Sequence, residues 1–169
     1  FGIEPTESST KIAVAKGLKV YKEFFCLDFA KHLSEKGKSA DLVVANNVLA
    51  HVPDINDFLR GFNFILKDTG TVTFEFPHLV KMIKLIQFDT IYHEHLRYYS
   101  LQSLKYLFKK HKLEIIDTKE IPTHGGSIRV YAARKGKYKI SSNVNRQLKK
   151  ENKYLNKQSF IKFKKNVVN

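Results

Sequence analysis

The sequence predicts an α/β fold: a mostly parallel sheet with helices on both faces, followed by a helical C-terminal segment. Three observations carry this. Short β-rich runs alternate with helical patterns along the chain, as they do where strands are joined by helical crossovers. Asp41-Leu42-Val43-Val44-Ala45 is nearly all apolar, the mark of a strand buried on both faces. Polar clusters follow strands, where open α/β sheets place their ligands.

The elements follow in order. Phe1-Gly2-Ile3-Glu4-Pro5 reads as a short strand ending in an acid. Thr6 to Lys16 reads as a helix, with Ser8, Ser9 or Thr10 as caps and Ile12, Val14 and Ala15 as its apolar surface. Leu18 to Tyr21 is a second strand. Asp28 to Lys36 is a helix stopped by Gly37. After the buried strand, Asn47 to His51 is a turn or short helix. Asp54 to Lys67 is a strongly amphipathic helix, with Ile55, Phe58, Leu59, Phe62, Ile65 and Leu66 on one face. Asp68-Thr69-Gly70 ends it, and Thr71 to Phe76 is a strand. His78 to Ile86 and Leu101 to Lys110 are helical. Leu113 to Thr118 and Ser127 to Ala133 are strands close enough in sequence to form an antiparallel edge. From Ser142 onward, Val144, Leu148 and Leu155 share one stripe, and Phe160, Phe163 and Val167 another that is out of phase. A long helix that needs a partner, continuous or broken, fits both.

The 169 residues suit a single domain, and 43% hydrophobic content suffices for a core. No apolar run approaches the roughly 18–20 residues of a membrane span. Cys26 is the lone cysteine, so neither a disulfide framework nor a cysteine zinc site is available, and its apolar neighbours favour burial. A cytoplasmic location is expected. The first residue is Phe1, and the start reads as the middle of a longer sequence. The net charge is +14, but it is uneven. Residues 135–169 hold eleven Lys and Arg against the single Glu151, while residues 1–134 carry only +4. A basic tail can meet nucleic acid, yet no nucleic-acid motif accompanies it. A solvated Lys-rich helix is the plainer reading, and neither nucleic acid nor membrane is expected as a partner.

Three places can carry chemistry. Glu4 ends the first strand, where a carboxylate can accept hydrogen bonds from ribose hydroxyls. Asn46, Asn47 and His51 follow the apolar strand, as ligand contacts or, for the asparagines, as helix caps. Gln87-Phe88-Asp89-Thr90-Ile91-Tyr92-His93-Glu94-His95 is the densest cluster. It admits three readings: a metal site through His93 and His95, a general acid–base group, or structural polar packing. In Thr123-His124-Gly125-Gly126-Ser127, paired glycines allow a close backbone approach that can cradle an anion, or form a simple turn.

Taken together, these motifs resemble a known family. Ala45-Asn46-Asn47-Val48-Leu49-Ala50-His51-Val52-Pro53-Asp54 resembles the fourth-strand motif of the sugar C-methyltransferases, which make branched deoxysugars for antibiotics and surface polysaccharides. Gly2-Ile3-Glu4-Pro5 resembles their second-strand motif. Glu75-Phe76-Pro77-His78, Gln87 to His95, and Pro122 to Tyr131 resemble later ones, in matching order and spacing across residues 1–135. The resemblance implies a class I methyltransferase (Rossmann-like) fold, S-adenosylmethionine as cofactor, and methyl transfer to C3 of a dTDP-linked 4-keto sugar. By the same resemblance, His95 is the base that deprotonates the carbon next to the ketone. Tyr92 and Glu94 support it or steer the keto oxygen, with His51 close by. Glu4 and Pro5 hold the cofactor ribose end, Asn46 and Asn47 line its methionine side, and His124, Gly125 and Gly126 shape the sugar site.

Such enzymes also carry a Gly-rich first-strand loop and, before it, a cysteine zinc domain. Both would precede Phe1, so zinc is expected only there. Without that strand the sheet would have a central gap. The expected organisation is a partial cofactor-binding domain over residues 1–136. A basic helical segment, 137–169, would then open a C-terminal domain. An inactive remnant of the fold, and a basic nucleic-acid-binding module, are the competing readings.

Overall fold

In the computed structural model, which describes residues 1–168, strands and helices alternate as expected. The strands are β1 (Gly2–Ile3), β2 (Val20–Tyr21), β3 (Ala40–Asn46), β4 (Leu66–Pro77), β5 (Leu113–Ile121) and β6 (Ser127–Arg134). The helices are α1 (Glu7–Ala15), α2 (Leu27–Glu35), α3 (Ile55–Ile65), α4 (Leu79–Leu85), α5 (Leu101–Lys110), α6 (Ser142–Asn152) and α7 (Lys157–Val168). Two short 3₁₀ turns cover Phe88–Thr90 and Thr123–Gly125.

The strands form two sheets. β1 and β2 pair in parallel, with Gly2 opposite Val20. The other four run in the order β3-β4-β6-β5. There β3 and β4 are parallel, and β6 lies antiparallel to both β4 and β5, as the close spacing of the last strands anticipates. The gap between the sheets is a cleft of about 600 Å³, lined by Phe1, Gly2 and Ile3 on one side and Ala40 to Ala45 on the other.

The core lies on one face of the four-stranded sheet. Val72, Phe74 and Phe76 of β4 alternate onto that face, as the two-residue period of a strand requires. A chain of edge-to-face and tilted aromatic contacts runs across it. Phe25 meets Phe58 and Phe62, Phe62 meets Phe74 at 5.3 Å, and Phe74 meets Phe108 of α5 at 5.2 Å. Pairs at these distances add about 0.5–1.5 kcal/mol each beyond their burial. Asp54 caps α3 by accepting from the Asn56 and Asp57 amides. Ser100 and Ser103 close a reciprocal cap on α5.

Several expectations change. β3 is not buried on both faces. Val43 and Ala45 pair beside Val72 and Phe74 and turn to the core, while Leu42 and Val44 lie 56% and 59% exposed. They sit on the opposite face of a strand whose outer edge borders the gap. β4 begins at Leu66 rather than Thr71, because Leu66 pairs with Ala40 before the register shifts and pairing resumes at Leu42–Thr71. Gly70 makes this possible: a Cβ there would lie 2.6 Å from the Ala40 carbonyl oxygen. The proposed caps Ser8, Ser9 and Thr10 lie inside α1, which starts at Glu7. The C-terminal segment is two helices, α6 and α7. α6 packs on β5 and α5 and adds Val144 to the core, and α7 reaches α4.

Candidate active site

The carboxyl ends of β3 and β4 open into a cleft of about 560 Å³. Asn47, Ala50 and His51 wall it from the loop after β3, Phe76 and Pro77 from the end of β4, and Gln87, Asp89, Thr90, Tyr92 and His95 from the segment after α4. His124 and Gly125 complete the rim. The site residues from three separate stretches of sequence thus meet at one place.

His95 is held on both ring nitrogens. Nδ1 lies 2.8 Å from the Thr90 carbonyl oxygen, which can only accept, so Nδ1 carries the proton and donates. In that tautomer Nε2 presents a lone pair, and the Tyr92 hydroxyl donates to it at 3.1 Å. The Tyr92 ring packs over the imidazole with centroids 4.2 Å apart. His51 lies on the other side, 4.9 Å away between centroids, with its Nδ1–H donating to the Glu94 carbonyl at 2.9 Å. The loop after β3 and the Tyr92–Tyr98 stretch are stitched together. Leu96 N–H donates to Ala50 O, and Arg97 donates to the Val52 and Pro53 carbonyls. Below them Tyr99 is buried, its hydroxyl turned toward Leu49 O, and burial pushes its pKa up to about 12.

Backbone conformation shapes the rim. Asn47 and His124 both adopt left-handed φ of 52°, uncommon for residues other than glycine and a form of local strain that collects at functional sites. Gly125, at φ 70°, leaves no room for a side chain: a Cβ would lie 2.0 Å from Nε2 of Gln87, which donates to the Gly125 carbonyl.

The remaining candidate residues lie apart from this cluster. Glu94 supplies its carbonyl to His51, but its carboxylate points out beside His93, 4.0 Å from that ring, and does not support His95. His93 is 90% exposed, so it shares no ligand position with His95. Among the described residues, no three His, Cys, Asp or Glu side chains gather around a metal position. Gly126 lies behind the rim, its carbonyl accepting from His78 N–H. Asn46 ends β3 opposite Glu75. Glu4 and Pro5 follow β1 of the two-stranded sheet, where Glu4 Oε1 accepts from Thr6 N–H at 2.8 Å. Among the described residues, its Oε2 takes no hydrogen bond.

Two buried acids were not singled out from the sequence. Glu75, at the end of β4, takes a two-bond grip from Arg129 at 2.6 and 3.1 Å and a hydrogen bond from Thr123. Glu75 in turn holds the Arg129 guanidinium more firmly protonated than usual, with Tyr131 adding to the effect. This network fastens the His124 loop to the sheet. The second acid, Glu151 of α6, bonds His78. Its signal in the sequence was its isolation, one acid among eleven cations.

Comparison with known proteins supports the architecture. Residues 1–118 match the family described as Methyltransferase domain. Over 132 residues the chain is 36% identical to C-methyltransferase NovU of Streptomyces niveus, covering 78% of this chain and 31% of that protein. The chain therefore spans under a third of that relative's length. Among solved structures, a SAM-dependent methyltransferase of Thermotoga maritima superposes with a TM-score of 0.60 at 18% identity, over 80% of this chain and 73% of the other. Magnesium protoporphyrin IX methyltransferase of Synechocystis, solved with bound SAH, gives 0.50 at 12% identity, over 76% and 58%. These distant likenesses establish the fold, class I methyltransferase. Among the described residues, no helix is long and apolar enough to cross a membrane. With residues 1–118 matched, about two thirds of the chain, the chain belongs to the methyltransferase-domain family.

Proposed function

We propose that the chain carries the reacting face of a C-methyltransferase that acts on a nucleotide-linked (dTDP) 4-keto deoxysugar. The observation that carries this reading is the setting of His95: its Nδ1 is held by the Thr90 carbonyl, which leaves Nε2 facing the Tyr92 hydroxyl at the mouth of an open cleft. Transfer to carbon needs such a base, because a carbon beside a ketone becomes nucleophilic only after losing its proton. The order and spacing of the sugar-methyltransferase motifs support the sugar, and the relative named as a C-methyltransferase supports the carbon.

The donor set fits the cofactor. Glu4 offers a free carboxylate oxygen to ribose hydroxyls at the end of β1, and Asn46 and Asn47 offer amides at the end of β3 for its methionine side. When bound, S-adenosylmethionine supplies an electrophilic methyl group. The chain's own residues do the rest. When a keto oxygen enters the cleft, the Tyr92 hydroxyl turns from Nε2 of His95 to that oxygen. Nε2 is thereby uncovered and takes the proton from the adjacent carbon. The electron pair of the broken C–H bond moves onto the keto oxygen, where the Tyr92 O–H stabilises the charge as it develops. Thr90 O keeps its hydrogen bond from Nδ1–H and steadies the cationic ring. His124 and Gly125 shape the far side of the sugar pocket, and His51 packs the base in place.

The test is isotope exchange. In heavy water with S-adenosylhomocysteine present, the protein should wash deuterium into the carbon beside the ketone, read by NMR. His95→Gln should slow that exchange by about 10²–10⁴-fold, the usual worth of a positioned base. Exchange unchanged by the substitution would remove His95 from the role.

A further inference from the structure

Glu151 is the one acid between Lys135 and Asn169, and it is completely buried. Its carboxylate gathers three N–H donors. Oε1 accepts from His78 Nε2 at 2.7 Å and from the Leu101 amide at 2.6 Å, and Oε2 accepts from the Gln102 amide at 2.9 Å. The donors come from the two ends of one segment. His78 immediately precedes α4, while Leu101 and Gln102 are the first residues of α5. Between them run Thr90, Tyr92 and His95.

Other bonds close the same neck. Leu79 N–H donates to Tyr99 O, and His78 and Tyr99 form a parallel bridge. The segment bearing the base is therefore a loop whose ends meet at a carboxylate supplied by α6. Nδ1 of His78 is buried without a partner, so the polar hold on that side chain runs through Glu151 alone. A buried carboxylate is tolerable only while its donors stay in place. Displacing either end of the loop would leave the charge short of a donor, which makes this arrangement stiff. The two α5 amides would otherwise be unpaired, since the first turn of a helix has no partners of its own.

We propose that Glu151 is a positioning residue: from α6 it clamps both ends of the 78–101 segment and so holds Thr90, Tyr92 and His95 in register over the cleft. The proposal rests on the reading of His95 as the base. It makes the C-terminal segment part of the site, although none of that segment lines the cleft.

Glu151→Gln keeps the shape and turns one acceptor oxygen into an NH₂ group facing N–H donors. Deuterium exchange at the substrate carbon should fall about ten-fold or more, since small misplacements near reacting groups cost this much. Affinity for S-adenosylhomocysteine should change by less than about three-fold, because the proposed cofactor residues lie at the ends of β1 and β3. Val144→Ala is the control: it loosens the packing of the same helix and leaves the carboxylate alone. If it slows exchange as much as Glu151→Gln at a matched loss of Tm, the role is structural only and the proposal falls. Amide hydrogen exchange gives a readout that needs no substrate. Residues 79–100 should lose protection in Glu151→Gln while α3 keeps its own. If the unaltered protein fails to exchange the substrate, the base assignment fails, and the amide measurement alone decides the clamp: unchanged protection at 79–100 overturns it. Should Glu151→Gln not fold, His78→Leu removes one donor, keeps both α5 bonds, and is read the same way.

Discussion

In β4 every alternate residue from Val72 to Phe76 is essentially sealed from water, and α3 buries six of its eleven residues. In α1, nine residues long, none is buried, and β1 and β2 contribute two residues each. Both regions use the same parallel strand–helix grammar. They differ in what lies across from the apolar side chains. Phe62 finds Phe25, Phe58 and Phe74, whereas Ile12 and Val14 remain more than half exposed. The division is also functional in the proposed reading: the base lies on the segment between α4 and α5, over the carboxyl end of the well-packed sheet, and the ribose carboxylate Glu4 directly follows β1 of the sparse one. Rigidity has gone where a proton must move over a short, fixed distance.

The largest effect that would expose this contrast is at Phe62. Phe62→Ala should cost about 3–5 kcal/mol in chemical denaturation, as deletions of buried aromatic rings do. It opens a void at the joint of the aromatic chain. A loss below 1 kcal/mol would mean that this sheet is no better packed than its neighbour.

Next in size is the functional split. Glu4→Ala should weaken S-adenosylhomocysteine binding by about 10- to 100-fold in calorimetric titration, the worth of hydrogen bonds to a charged group. It should leave folding of the four-stranded sheet unchanged. Equal affinity for both proteins would remove Glu4 from the cofactor site and leave the sparse sheet without an assigned role.

The two tyrosines Tyr99 and Tyr21 compare the regions through pH. Burial raises the Tyr99 phenol to about 12, while a hydrogen bond from Lys38 holds Tyr21 below its ordinary value. For Tyr99 the unfolded chain loses its proton first, near pH 10, so above that pH the unfolded state binds fewer protons and stability falls as pH rises. The window is pH 10 to 12, and the shift corresponds to about 2.7 kcal/mol at most. Tyr99→Phe should therefore lose less stability than the unaltered protein between pH 9 and 12, and in ultraviolet titration the last phenol to ionise should disappear. Tyr21→Phe should remove an early one.

The same contrast governs what could be read from sequence. α5 was legible to the residue because the helical spacing of Leu104, Leu107 and Phe108 agreed with its packing. The Tyr92–His95 cluster was legible because its members are contiguous. Its wiring was not: the partner of His95 Nδ1 is a backbone carbonyl, which no side-chain motif announces, and the Glu94 carboxylate turns outward. His78 and Glu151 lie 73 residues apart, joined only by tertiary packing. The start of β4 was hidden because Lys67-Asp68-Thr69-Gly70 has the composition of a turn, and only pairing with Ala40 makes it a strand. β3 read as doubly buried because composition reports what a strand can cover, not whether a layer lies against it.

The smallest expected effect is the sharpest test of the comparison. Ile12→Ala and Val14→Ala should each change stability by less than about 0.5 kcal/mol, as substitutions at exposed positions do. Both side chains point from α1 into solvent, at 60% and 54% exposure. Little apolar surface returns to water when they are trimmed, and alanine favours the helix over either β-branched residue. The two effects nearly cancel. A loss above 2 kcal/mol in denaturant unfolding would require those side chains to be covered in solution. The sparse region would then be as well packed as the other, and the assignment of rigidity to the four-stranded sheet alone would fail.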